Sequence, residues 1–430
     1  MTNTTVRTEN GGSFKVKPLA DSYVTLFESP NPDQIYGFSP GIAVLPGGRL
    51  LATIDLGGKG VPQLDGPKGS RHGYITQGRV YVSDDGGKTW RHSATFPFMH
   101  ARPFLAGDSV YVIGHCVDIM IMRSDDGGET WTEPVKLTSS GDWHQAPCNV
   151  HYAKGSIYLV MENIRDGDQA HFWPVSLMEP ILMRAREDAD LLKPDSWAYA
   201  TPLTAREAIP SANLDYFGVP FFTEMQDHKR GQINCAPVGW LETNVVQFVD
   251  PDHVWYDPHG RTFHLWMRAH TGGTGFAAVA KVVEDEEGRM TTMLETVPSG
   301  KRVAFVPCPG GQMKFHIVYD DVTKLYWLLS SQSTDSMTRP DRLPKERYDL
   351  PNNERHRLQL HFSKNCVDWC FAGLVCAGAS PKQSRHYASM AIDGDDLLVL
   401  SRSGDERASS AHNGNLITFH RIRDFRDLAY

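Results

Sequence analysis

Apolar and polar residues alternate in short runs along this chain, and the runs come in pairs. Residues 41–53 (GIAVLPGGRLLAT) hold two apolar runs around a Pro-Gly-Gly turn, and residues 79–83 and 91–95 flank the octapeptide SDDGGKTW at 83–90. Period-two alternation with turn formers between is the mark of antiparallel hairpins. The same four-strand pattern recurs in PFLAGDSVYVIG with IMIMRSDDGGETWTEPVKL, in CNVHYAKGSIYLVME with PILMRAREDADLLKPDSWAYA, and in NVVQFVDPDHVWYDPHGRTFHLWMR with FAAVAKVVEDEEGRMTTMLETV. It continues in KFHIVYDDVTKLYWLLSS with RLQLHFSKNCVDWCFAGLVC and ends in YASMAIDGDDLLVLSR with NLITFHRIRDF, which makes six modules. A period of roughly 40 to 60 residues, in sheets that cannot bury both faces until neighbours pack on them, predicts an all-β propeller of four-stranded blades. SYVTLFES (22–29) is placed to close the ring against the last module, and 200–238 leaves room for a seventh blade. The expected organisation is an N-terminal extension over 1–20 and one propeller domain over 21–430.

The octapeptide returns as SDDGGETW at 124–131. In S-x-D-x-G-x-T-W the Asp caps a turn through local hydrogen bonds, the Gly permits a positive φ, and the Trp covers the base of the hairpin. The motif, carried by Ser83, Asp85, Gly87, Thr89 and Trp90 and again by Ser124, Asp126, Gly128, Thr130 and Trp131, resembles the Asp-box (BNR) of the sialidase-like propellers. It is expected between strands three and four of a blade. SKNCVDW (363–369) reads as a relic one residue short, and DLLKPDSW (190–197) keeps little beyond its Trp. Such boxes are structural and carry no catalysis.

Composition narrows the partners. A formal charge of −8 over 430 residues gives no reason to expect nucleic acid or an anionic membrane, and no run of 18 apolar residues exists. The first thirty residues lack a signal-peptide pattern, so the chain is expected in the cytoplasm. Seven irregularly spaced cysteines fit reduced thiols better than a disulfide framework. The sequence sets no oligomeric state.

Topology then locates candidate chemistry. In every module strand one starts and strand two ends on the same face of a propeller. Those positions carry Ser39, Asp55, His100 with Arg102, His115, His144, Glu162, Glu242, Arg268 with His270, Lys314, His386 with Tyr387, and Arg402, whereas the opposite edges carry ordinary turns. A rim of Arg and Lys with interspersed His suits a carboxylated sugar, because guanidinium pairs bidentately with carboxylate and imidazole moves protons near neutral pH. His72, in the Gly-rich stretch 55–74, is placed to reach over the pocket as a lid.

The chain from Gly37 to Arg426 resembles Asp-box propellers that include polysaccharide lyases of the ulvan-lyase and rhamnosyl-glucuronate-lyase kind. The carriers are WHQAP (143–147), DADLLKPDSW (188–197), GWLETN (239–244), PGGQMKFHIVYD (309–320), RHYASMAIDGDDLLVLSR (385–402) and AHNGNLITFHRIRDFR (411–426). That resemblance implies β-elimination on an acidic oligosaccharide. His144 would be the base and Arg268 the group neutralising the carboxylate, with Tyr387 and His115 as further catalytic candidates. Lys314, Arg402, His386, Glu242, Arg102, His270 and His72 would bind substrate. Trp240 stands where a Tyr donor is expected, so Tyr216 or Tyr387 would supply the proton. No cofactor is required on this reading, although His115, His144 and His270 share one rim and are candidates for a divalent metal, calcium or zinc. Two alternatives accompany it. One is an exo-glycoside hydrolase of the sialidase type, which needs three arginines, a Tyr nucleophile activated by Glu and an Asp acid; here FSP (38–40) replaces the RIP triplet and its first arginine. The other is a non-catalytic carbohydrate-binding propeller.

Overall fold

The computed structural model describes residues 5–7, 13–15, 17–20, 22–165, 174–209, 239–270, 275–334, 342 and 354–430. Six sheets of four or five strands follow one another along the chain. Blade one is Tyr36–Val44, Leu50–Gly57, Tyr74–Ser83 and Arg91–Phe96; blade two is Met99–Ala106, Ser109–Cys116, Asp118–Ser124 and Val135–Lys136. Blade three comprises Trp143–His144 with His151–Ala153, then Ser156–Ile164, Met178–Arg186 and Ala198–Tyr199; blade four comprises Gly239–Val246, Thr262–His270, Phe276–Glu284 and Met290–Met293. Blade five is His316–Asp320, Leu325–Ser330, Arg357–Ser363 and Cys370–Ala377. Blade six takes Arg385–Asp393, Asp396–Ser403 and Leu416–Ile422 from the C-terminal end and Val24–Glu28 from the N-terminal end. The predicted ring closure is thus formed, by antiparallel pairing of Val24–Glu28 with Leu416–Ile422. Residues 210–238 of the stretch considered for a seventh blade lie outside the described residues, as does Tyr216, and 200–209 contributes only the short helix Ala205–Ala208.

Burial follows the reasoning that predicted the ring. Each pair of adjacent blades encloses its own apolar cluster, and strands alternate between two of them. Leu397 and Val399 pack toward blade five, while Leu398 and Leu400 pack toward blade one. Each fully buried aliphatic side chain contributes about 2 kcal/mol, and half of that contact exists only when the neighbouring blade is in place. Leu19 and Ala20 donate their amides to Leu374 and Val375 of blade five, so contact with the propeller begins slightly before residue 21.

Both Asp-boxes form as expected. Ser83 donates to Asp85 at 2.9 Å and accepts from the Gly87 amide, Thr89 donates its amide and hydroxyl to Asp85, and the Trp90 indole donates to the Gly87 carbonyl at 3.2 Å. Those donors hold the Asp85 carboxyl near 2, first through the Thr89 hydroxyl; Asp126 is held likewise by Thr130. Gly87 has φ 86°, and a Cβ there would sit 2.3 Å from the Phe419 ring of blade six. The box therefore also joins blades. In the relic, Asn365 takes the Asp role and accepts from Ser363, Val367 and Asp368.

Candidate active site

Four of the six inner strands carry a bulge at the same height. Ser39–Pro40 stand opposite Ile54, His100–Ala101 opposite Gly114, Glu242–Thr243 opposite Met267, and Tyr387–Ala388 opposite Ser401. The first residue of each pair is left-handed: Ser39 φ 35°, His100 52°, Glu242 57° and Tyr387 49°. Non-glycine residues adopt this conformation at a cost of roughly 1–3 kcal/mol, and such strain with a bulge re-aims a side chain out of the strand's alternation. Here the bulges turn His100, Glu242 and Tyr387 to the axis, where the second strands deliver Asp55, His115, Glu162, Arg268 and Arg402.

Tyr387 is the centre of one half. Its phenol donates to Glu242 at 2.6 Å and accepts from Arg268 at 2.8 Å, and Arg268 also reaches Glu242 at 3.3 Å. Burial, then the Glu242 charge, keep the phenol protonated by raising its pKa. Two further guanidiniums, Arg355 and Arg402, each lie 5.5 Å from the Tyr387 ring centroid. Arg402 stacks 4.0 Å over Phe38, donates to the His412 carbonyl, and has no carboxylate partner among the described residues; its buried Nε has no partner at all. Burial and the charge of Arg355 lower it to about 9. Three arginines therefore converge although the first-blade arginine is missing: Phe38, the first residue of FSP, supplies the floor on which Arg402, from blade six, rests.

The other half holds imidazoles. The rings of His100, His115 and His144 are mutually 5.2 to 5.6 Å apart. His100 Nδ1 meets His115 Nε2 at 3.1 Å, and burial first, then neighbouring positive charge, holds both well below the usual histidine range. Asp55, fully buried, accepts the His100 amide at 3.0 Å through one oxygen, while the other makes no hydrogen bond and lies 4.0 Å from His100 Nε2. Burial pushes its carboxyl up to about 7, against the lowering pull of the His100 amide and Arg402. Arg71 and His72 both engage Asp142, at 2.8 and 3.1 Å, so the 55–74 segment of blade one crosses blade two and is latched at the entry to blade three.

Several expected roles change. His144, 5% exposed, meets Glu162 at 2.9 Å, and the guanidiniums gather around Tyr387 rather than around it. His115 is fully buried and backs His100, whose side chain keeps 17% of its surface exposed. Arg102, expected as a binder, is 2% exposed and donates to Gln145, Asn149 and Val160 inside the wall. Lys314, 1% exposed, donates to Ala388 and Ser389 rather than into the pocket. His386 is fully buried against Arg355 at 3.0 Å and orients that guanidinium, while His72 belongs to the latch. His270 is buried at the end of its strand. Trp240 is core, donating to the Met178 carbonyl. Among the described residues no group of three or more His, Cys, Asp and Glu is placed to hold a metal ion. Glu242, expected as a binder, is the partner of Tyr387. Arg355 was missed because it precedes a third strand, outside the two rim positions that the topology singles out.

The BNR/Asp-box repeat model matches residues 81–92, on the first box and its flanking strands. The chain is a six-bladed β-propeller that carries Asp-box turns. No curated protein sequence matches it. Among solved structures, this propeller is similar to a protein of unknown function from Dyadobacter fermentans, at TM-score 0.54 and 12% identity over 95% of this chain and 99% of that one. It is also similar to a Trypanosoma rangeli sialidase in complex with the inhibitor DANA, at TM-score 0.51 and 12% identity over 99% of this chain and 59% of that one. A third is an α-L-arabinofuranosidase mutant of Fusarium graminearum with an iminosugar inhibitor, at TM-score 0.50 and 13% identity over 94% and 98%. At such identities the likeness establishes the propeller fold. The kinship with lyases is not supported by these structures.

Proposed function

We propose that this propeller is a glycoside hydrolase that releases a terminal acidic sugar with retention of configuration. The observation that carries the reading is the Tyr387 phenol held between Glu242 and Arg268, beside a buried Arg402 that lacks an anion. A carboxylate nucleophile would repel an anionic sugar, whereas a neutral phenol beside a base does not. Tyr387 Oη attacks the anomeric carbon as Glu242 takes its proton. Asp55, protonated up to about pH 7, gives a proton to the departing oxygen through the oxygen that makes no hydrogen bond. The Asp55 carboxylate then draws a proton from the water that attacks the anomeric carbon and breaks the tyrosyl–sugar bond, and Glu242 returns its proton to the departing Tyr387 oxygen. Arg268, Arg355 and Arg402 hold the carboxylate of the sugar. The lyase alternative has less support, since the guanidiniums that would hold the substrate carboxylate gather around Tyr387 and not around its proposed base, His144.

The test is a panel of aryl glycosides of sialic, uronic and ulosonic acids, followed by NMR for the first-formed anomer. A fluorinated acidic glycosyl fluoride should label Tyr387, read by peptide mass spectrometry. Unsaturated uronate from oligosaccharides would restore the lyase reading, and binding without turnover would make the protein a lectin.

A further inference from the structure

The bulge of each even-numbered blade is braced by the odd-numbered blade before it. Asp55 accepts the His100 amide, and the Thr53 hydroxyl donates to the Ala101 carbonyl at 2.6 Å. Glu162 accepts the Thr243 amide at 3.1 Å. In the third case Lys314 donates to the Ala388 carbonyl, the residue following Tyr387, and to the Ser389 hydroxyl at 3.1 Å; Ser389 donates onward to Pro147. Ala101 and Ala388 occupy the same bulge position, yet one carbonyl is satisfied by a neutral hydroxyl and the other by an ammonium. A hydrogen bond alone does not need the charge. Burying an ammonium with no carboxylate in reach, as is the case here among the described residues, is expensive. Burial first, with Arg102 nearby, lowers the pKa of Lys314 to about 8.

We infer that Lys314 is a positioning residue of the reaction: its buried ammonium, donating at once to the Ala388 carbonyl and the Ser389 hydroxyl, clamps the left-handed turn that aims Tyr387. The inference rests on the proposed reading that Tyr387 and Glu242 are the reacting pair.

Two variants isolate the clamp. Lys314→Met removes the donor for the Ala388 carbonyl, and Lys314→Gln keeps one. On an acidic aryl glycoside, Lys314→Met is expected to lose about 100-fold in kcat with KM within about twofold, and Lys314→Gln to recover much of it. A second readout needs no substrate: the near-ultraviolet circular dichroism of Tyr387, taken as the difference from Tyr387→Phe, should change in Lys314→Met and return in Lys314→Gln, because the clamp sets the orientation of the ring. Full kcat and an unchanged difference spectrum in folded Lys314→Met would overturn the inference and leave Lys314 a structural brace. A changed spectrum in a protein inactive on the whole panel would uphold the clamp and sink the reading of Tyr387 as nucleophile.

Discussion

Replacing Asp55 with Asn should make this protein more stable and less active, and the size of the gain depends on pH. A carboxyl whose folded-state pKa is raised keeps its proton in the folded chain at pH values where the unfolded chain has lost it. Stability is therefore lost as pH rises from about 4 to about 7, and above that the folded protein carries a dry carboxylate. The rise from 3.8 to about 7, at ~1.36 kcal/mol per pH unit, corresponds to roughly 4 kcal/mol. Asn preserves the acceptor for the His100 amide and stays neutral. Unfolding by urea, compared between the parent and Asp55→Asn, should show the variant about 2–3 kcal/mol further ahead at pH 8 than at pH 5. Activity should fall most for substrates with poor leaving groups, which need the proton. An advantage of Asp55→Asn that is the same at both pH values would mean that Asp55 is ionised in the folded protein throughout this range and cannot be the donor.

The parent protein's kcat/KM should decline above about pH 7 as Asp55 loses its proton, and this limb should vanish in Asp55→Asn, read from a pH–rate profile. Tyr387→Phe should remove about three orders of magnitude of kcat with folding intact by circular dichroism. Arg402→Met should raise KM for acidic glycosides by roughly 30-fold, and because it removes a buried cation lacking a carboxylate partner it should raise the thermal midpoint as well. Trp90→Ala removes an edge contact with Phe419 at 5.4 Å across the ring closure and should cost about 2–3 kcal/mol in denaturant unfolding.

Hairpin alternation and two Asp-boxes specify the blades, their number of six and the closing strand, because strand pairing and turn chemistry are local and each blade repeats them. The same topology places Asp55, Glu242, Arg268, Tyr387 and Arg402 on one face, since strand ends are readable from the pattern. Roles were not readable in this way. Whether Arg102 and Lys314 meet the pocket or the wall depends on bulges that break the period-two alternation. No run of residues announces that Tyr387 lies 2.6 Å from Glu242, 145 positions earlier in the chain. The missing arginine of FSP looked like the loss of a function, whereas packing brings Arg402 onto the Phe38 ring. Periodicity along the chain thus determined the scaffold; the direction and pairing of each charge were decided only by contacts between blades, where burial makes a partner, or the lack of one, matter.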